Sequence, residues 1–154
     1  YRLICSNGLV VATTQFEAVK MRHMGYTFED LQENIREMVE KLPLTVESMN
    51  KMKSTQLEQK KALDFAKECL STRFNENEMR RIKIDLEELL VPVRPEDEGK
   101  DLWSVFNVVQ EKIIEGDFNY IAAGKARKAR RIKNFRQDQK INSELFEVAL
   151  NYVA

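Results

Sequence analysis

At 154 residues, the chain is long enough to bury a hydrophobic core as a single domain without disulfides or structural metal. Its 43% apolar and 32% charged residues are typical of a globular, helix-rich protein, and its formal net charge of zero excludes a surface that is basic throughout. Two cysteines and one histidine cannot close a tetrahedral zinc site, and no apolar run is long enough for a membrane span. We therefore expect buried free thiols at Cys5 and Cys69, no metal, no cofactor and no membrane partner.

The first residues predict a small β element. Tyr1 to Thr13 has β-branched and apolar residues on either side of Asn7-Gly8, a dipeptide suited to a tight turn with positive φ at both central positions. Phe16 to His23 alternates apolar and polar residues and predicts a third strand. The chain begins at Tyr1 instead of Met, so we expect it to be a fragment of a longer protein.

Four helices are predicted before residue 91, each from an apolar face at helical spacing. A capping-box-like sequence starts the first at Thr27, Pro43 ends it, and Thr45 caps the second. The four predicted ranges are approximately 27–42, 45–53, 58–70 and 77–90. The apolar face of the third consists of Ala62, Phe65, Ala66, Cys69 and Leu70. The prolines and glycine of residues 91–100 then predict a loop.

The stretch from Asp101 to Gly116 predicts the most apolar helix of the chain, with Asp101 as its cap. Apolar residues cover most of its circumference, and they are Leu102, Trp103, Val105, Phe106, Val108, Val109, Ile113 and Ile114. A helix of this kind is normally surrounded by other elements, so we expect it to be central. The single polar stripe consists of Ser104, Asn107, Glu111 and Glu115, with Gln110 at its edge.

After Gly116 the apolar periodicity is weak, and the sequence predicts an ordered loop or short strands that are mobile near Lys125 to Arg131. A last helix, capped by Ser143, is predicted to run through Val153. The predicted fold class is α+β and mainly helical. Five or six helices surround the central apolar helix, and a small antiparallel β element lies at the N-terminus.

Residues 125–140, which we call the basic segment, are the first candidate site. They contain eight basic residues and one acidic residue, so they carry +7 while the rest of the chain carries −7. The basic residues are Lys125, Arg127, Lys128, Arg130, Arg131, Lys133, Arg136 and Lys140. They are suited to a phosphate backbone, and Tyr120 and Phe135 are near enough in sequence to stack on unpaired bases. The alternative is a solvated segment that pairs with acids elsewhere, such as Glu96, Asp97 and Glu98.

Two further candidates are weaker. In the polar stripe, Glu111 could act as a general base with Asn107 orienting a substrate, because residues four apart on a helix are neighbours. The alternative is a structural polar contact, since no nucleophile, metal ligand or phosphate loop accompanies this acid. His23, beside Arg22, could titrate near neutral pH, but a strand histidine more often packs at a sheet edge. We therefore predict no catalytic residue.

A set of short motifs, in matching order along the chain, resembles the phage/plasmid-like family of domain-of-unknown-function 932. The opening Arg2-Leu3-Ile4-Cys5-Ser6-Asn7-Gly8-Leu9 and the Arg22-His23 pair are similar to the middle portion of that family. The C-terminal half is matched by a further set: Leu102-Trp103, Phe106 to Glu111, Ile114, Gly116, Gln137 to Asn142, Leu145-Phe146 and Ala149. The resemblance implies a mobile-element protein of the bacterial cytoplasm, of which this chain is the C-terminal portion.

Together, the residues and the resemblance predict a non-enzymatic protein that binds DNA or RNA through the basic segment. Its role would lie in replication, recombination or maintenance of a phage or plasmid. The alternative is a protein-interaction module whose basic segment meets an acidic surface, either of a partner protein or of another copy of the chain. A third hypothesis is an enzyme built around Glu111 and residues outside this chain.

Overall fold

The computed structural model describes residues 2–4, 10–13 and 27–153. Most of these residues are helical, as predicted. The elements in chain order are β1 (Arg2–Ile4), β2 (Val10–Thr13), α1 (Phe28–Ser54), α2 (Gln59–Leu70), α3 (Glu76–Met79), β3 (Ile82–Ile84), α4 (Leu86–Leu89), a 3-10 turn (Pro95–Asp97), α5 (Leu102–Glu115), β4 (Asn119–Ala122), β5 (Lys125–Lys128) and α6 (Phe135–Asn151).

The chain divides into two compact units, residues 1–48 and 49–154, which are described separately. In the first unit β1 and β2 pair antiparallel, with Leu3 opposite Ala12. The Asn7-Gly8 turn, the third strand predicted over 16–23, Cys5 and the Arg22-His23 pair lie outside the described residues. That the chain is a single domain from a longer protein stays a prediction.

Helix α1 corrects the prediction that Pro43 ends one helix and Thr45 starts another, because it runs without interruption from Phe28 to Ser54. Proline removes one backbone donor and so leaves the carbonyl of Val39 without its helical partner. Pro43 and Val39 are both exposed, so water can solvate that carbonyl. Exposure of this carbonyl reduces the cost of the missing hydrogen bond, and the helix continues through Pro43.

In the second unit, α2 confirms the predicted third helix and its apolar face. Ala62, Phe65, Ala66, Cys69 and Leu70 are all buried, and α2 packs against α4, α5 and α6. Cys69 is a free thiol, as predicted, and burial raises its pKa.

Helix α5 confirms the predicted bounds of the apolar helix, and its Asp101 cap accepts a hydrogen bond from the backbone N–H of Ser104 at 3.1 Å. It packs against α2, α4, α6 and the 3-10 turn. Its predicted central position is not supported, because Trp103, Val105 and Ile114 are only half-buried. The core is instead shared among α2, α5 and α6, each of which buries a face of its own.

The helix predicted over residues 77–90 is wrong. Asn75 forms a capping box with Glu78 and starts the one-turn helix α3, and Asp85 caps the one-turn helix α4. Between them, Ile82–Ile84 forms β3 and pairs antiparallel with β4, with Ile84 opposite Tyr120. Two isoleucines alternate around Lys83, which is typical of a strand, whereas the apolar residues of 77–90 as a whole are spaced as in a helix. The sequence pattern therefore fits either structure.

Strands β3, β4 and β5 form a three-stranded antiparallel sheet in that order. The prediction placed the antiparallel element at the N-terminus, whereas this sheet is built from residues 82–128. Its β4–β5 turn holds Ala123 at φ 51° and Gly124 at φ 73°. Positive φ at both central residues is what a two-residue hairpin turn requires. Of the two alternatives predicted after Gly116, an ordered loop or short strands, the structure has short strands.

Helix α6 begins eight residues before the predicted Ser143 cap. Asn134 is the N-cap, and its side chain accepts hydrogen bonds from the backbone N–H groups of Arg136 and Gln137. Ser143 lies inside the helix and donates to the carbonyl of Gln139. The earlier start adds Ile141 to the buried face that continues through Leu145 and Ala149.

Gly116 sets the path of the chain after α5. It adopts φ 72°, and a Cβ at this position would lie 2.5 Å from the carbonyl carbon of Arg130. The missing side chain therefore both permits the left-handed turn and admits the backbone of the basic segment.

Replacing Gly116 with Ala should lower the free energy of unfolding by about 2–4 kcal/mol, from left-handed strain plus the clash with Arg130. Gly124→Ala is the matched control, because Gly124 has nearly the same φ but no atom within 4 Å of a Cβ. It should lose only about 1–2 kcal/mol. Urea unfolding followed by circular dichroism measures both. Equal losses would contradict the close approach.

Candidate nucleic-acid interface

The basic segment consists of three structurally different parts. Lys125–Lys128 forms β5, an edge strand of the sheet. Residues 129–134 have no helix or strand assignment, and Arg136 and Lys140 lie in the first turns of α6. All eight basic residues are exposed. The predicted site residues therefore follow one continuous stretch of backbone that ends on a helix.

Residues 129–134 are attached to the rest of the second unit at two positions, Ala129 and Ile132. Ala129 and Ile132 are buried. The N–H of Ala129 donates to the carbonyl of Phe118 at 3.0 Å, and the N–H of Ile132 donates to the carbonyl of Ile114 at 2.9 Å. The apolar residues thus fix the backbone, while the basic residues between them point to solvent.

Arg73 also contacts the basic segment. Its guanidinium donates to the backbone carbonyls of Ile113 and Arg130. It also lies 5.5 Å from the ring centroid of Phe118 and 5.6 Å from that of Phe74, within cation–π range. Burial lowers the pKa of Arg73 from its usual high value, but a guanidinium in a protein stays charged at neutral pH. Arg73 therefore joins the end of α2, the end of α5 and the basic segment.

Three of the eight cations have carboxylate partners within the chain. Lys128 pairs with Asp117 at 3.4 Å, Arg131 with Glu115 at 3.2 Å and Lys140 with Glu144 at 3.6 Å, all of them at the surface. For the other five, no described residue places a carboxylate within 4.0 Å. These five, which we call the open cations, are Lys125, Arg127, Arg130, Lys133 and Arg136. The pairing suggested with Glu96, Asp97 and Glu98 is not seen among the described residues.

The two predicted stacking residues differ in accessibility. Tyr120 is half-buried, and its ring centroid lies 5.9 Å from that of Phe74. Phe135 is the first residue of α6 and is 69% exposed. Of the two rings, Phe135 is the one that a ligand can reach from solvent.

The polar stripe of α5 is occupied by contacts within the chain. Ser104 donates from its hydroxyl to Asp101 at 2.8 Å, and Arg94 donates to Glu111 at 2.7 Å. The remaining contacts pair Asn107 with Asp97, Gln110 with Asn142 and Glu115 with Arg131. These bonds favour the structural interpretation of the stripe over a catalytic one.

Asp97, in the loop between α4 and α5, contacts the polar stripe of α5. Burial raises the pKa of Asp97, while Arg94 and the hydrogen bond from Asn107 act in the opposite direction. A cavity of about 490 Å³ lies beside this loop, lined by Asp97, Glu98, Val105 and Val108 among others. Asn107 and Glu111 are not among its lining residues, so the convergence that an active site needs is absent there.

The described part of the chain contains neither a metal-binding cluster nor a membrane-spanning helix. No group of three or more His, Cys, Asp or Glu side chains is placed to hold a metal ion. No helix there combines the length and the apolar character needed to cross a membrane.

A family model described as domain of unknown function (DUF932) matches residues 1–146. The chain belongs to the DUF932 family. The resemblance noted from the sequence motifs is therefore confirmed at the level of the family, and it covers nearly the whole chain.

Two curated relatives extend the comparison. The chain is 28% identical over 150 residues to UPF0380 protein YafZ and equally to UPF0380 protein YfjQ, both from Escherichia coli (strain K12). Each alignment covers 97% of this chain and 54% of the relative, so the chain spans about half the length of these proteins. No solved structure matches the DUF932 chain significantly.

One cation of this DUF932 chain was missed by the sequence analysis. Lys83 is exposed on β3, and the strand register places it in one row with Ile121 and Ala126 on one face of the sheet. The available signal in the sequence was the alternation of Ile82 and Ile84 around Lys83, which is typical of a strand with the isoleucines on one face and the lysine on the other. The helical interpretation of residues 77–90 concealed it.

The role of Arg73 can be tested by Arg73→Lys. A single ammonium cannot reproduce a planar fork that reaches two carbonyls, so the free energy of unfolding should fall by about 1–3 kcal/mol. Arg80→Lys is the control, because among the described residues the Arg80 side chain makes an exposed pair with Glu76 at 3.8 Å. It should change stability by less than about 0.5 kcal/mol. Urea unfolding of the two variants compares them. A loss at position 73 no greater than at position 80 would show that the two carbonyl contacts contribute little.

Proposed function

We propose that this DUF932 chain binds nucleic acid without catalysing a reaction, by holding a phosphate backbone against the basic segment. The observation that carries the proposal is the set of five open cations on a backbone that is anchored to the folded unit. We further propose that the whole protein acts in replication, recombination or maintenance of a phage or plasmid. That setting rests on the sequence resemblance alone.

The arrangement supports binding to phosphates more than recognition of sequence. Cations that contact phosphates release counterions, and this contribution is the same for every sequence. The cations lie on an edge strand, an anchored stretch and the exposed side of α6. If all five open cations contact phosphates on a single strand, the logarithm of the affinity should fall with the logarithm of the salt concentration with a slope of about −3.5.

The alternative proposal is a protein-interaction module, and the edge strand β5 favours it. An edge strand can pair with another chain, but lysine and arginine side chains on the edge oppose pairing between two copies. The alternative therefore fits an acidic partner better than self-association. It predicts no affinity for nucleic acid.

The test of the proposal removes four open cations at once, in the variant Arg127→Gln, Arg130→Gln, Lys133→Gln and Arg136→Gln. Affinity for labelled nucleic acids should fall for every sequence, and the salt slope should become shallower by about three. Fluorescence anisotropy titration at about 50 and 200 mM salt measures both quantities.

The matched control changes the net charge equally at another place. Lys53, Lys60, Lys61 and Lys67 are exposed residues at the end of α1 and on α2, and replacing all four with Gln also removes four positive charges. This control should keep most of the affinity and nearly the original slope. If both variants lose affinity equally, net charge and not the basic segment is responsible. If the unmodified chain binds no nucleic acid at low salt, the proposal is wrong.

A further inference from the structure

Phe135 is a large apolar side chain that is exposed within the basic segment. It is 69% exposed at the first position of a 17-residue helix. The open cations Lys133 and Arg136 flank it in the sequence. Its ring is therefore presented to solvent in the middle of the positive field instead of contributing to the core.

The backbone that carries Phe135 is well fixed. Immediately before it, Asn134 caps the helix and accepts two backbone hydrogen bonds, at 3.0 and 3.1 Å. Three residues upstream, Ile132 is buried and bonded to Ile114. Further along α6, Ile141 and Leu145 pack into the core. The ring thus projects from a support that is ordered before any ligand arrives.

A ring in this position can contact the two forms of nucleic acid differently. In a duplex the base faces are stacked on one another, and a protein commonly reaches base edges by placing a helix or a β-ribbon in a groove. In a single strand the base faces are accessible, and an aromatic ring between cations is the usual platform for them.

We infer that the ligand of the basic segment is single-stranded nucleic acid, with one base stacked on Phe135 and the adjacent phosphates held by Lys133 and Arg136. This inference rests on the proposed function and specifies its substrate class. Tyr120 has a smaller part in it, because that ring already packs against Phe74.

The experiment titrates the chain by fluorescence anisotropy with a labelled single strand of about 20 nucleotides and with the matching duplex. The unmodified chain should bind the single strand more tightly. Phe135→Ala should weaken binding to the single strand by about 5- to 100-fold, which corresponds to the loss of one base stacked on an aromatic ring. The same variant should leave duplex binding nearly unchanged.

Three further variants separate stacking from other effects. Phe135→Trp should retain single-strand affinity because the indole also stacks, whereas Phe135→Leu, which keeps an apolar side chain, should lose it. Val93→Ala is the matched control, since Val93 is also a highly exposed apolar residue, at 61%, but lies in the loop after α4. Circular dichroism of each variant verifies that the fold is intact.

The outcomes distinguish the inference from the proposed function. If the unmodified chain binds neither ligand, both are wrong. If it binds the duplex at least as tightly as the single strand, or if Phe135→Ala does not weaken single-strand binding, only the inference is overturned. A duplex affinity that falls as much as the single-strand affinity in Phe135→Ala overturns the inference as well.

Discussion

The position of the basic segment depends on one close backbone approach, that of Gly116 to residue 130. The last carbonyls of helix α5 have no hydrogen-bond partner within the helix, and they form the negative end of its dipole. Because Gly116 has no side chain, the returning chain can approach those carbonyls, and the N–H of Ile132 donates to the carbonyl of Ile114. Arg73, which follows α2, donates to the carbonyl of Ile113 at the helix end and to that of Arg130 in the returning chain. Two carbonyls at the helix end thereby gain partners, and the Arg73 guanidinium lies where the helix dipole attracts positive charge.

The elements that the sequence predicted well are those whose signal is local. Helix α2 and helix α5 each carry an apolar face at a spacing of three or four residues, and the buried residues lie on those faces. Residues 77–90 have the same spacing but form β3 between two one-turn helices. The deciding contact is the pairing of β3 with β4, whose residues lie more than thirty positions later in the chain. A periodicity within one segment contains no information about such a partner.

Two errors arose from signals at helix ends. Ser143 and Asn134 are both good cap residues, and the helix begins at the earlier one, so that Ile141 and Asn142 are buried on it. Pro43 is normally a helix breaker, yet its effect depends on whether the orphaned carbonyl reaches water. In both cases the outcome was set by exposure, which is a property of the folded chain. The residue types alone allowed either choice.

The sequence predicted which basic residues make up the candidate site, but not which of their charges are paired with carboxylates in the folded chain. The eight cations are evident in the sequence, whereas the partners of Lys128, Arg131 and Lys140 become known only from the fold. The fold also changes what the segment can do, because fixing a residue's backbone costs about 1–2 kcal/mol of entropy. A disordered basic tail loses this conformational entropy when it binds, whereas the basic segment has already lost it on folding. An anchored segment can therefore hold a polyanion with fewer charges than a tail would need.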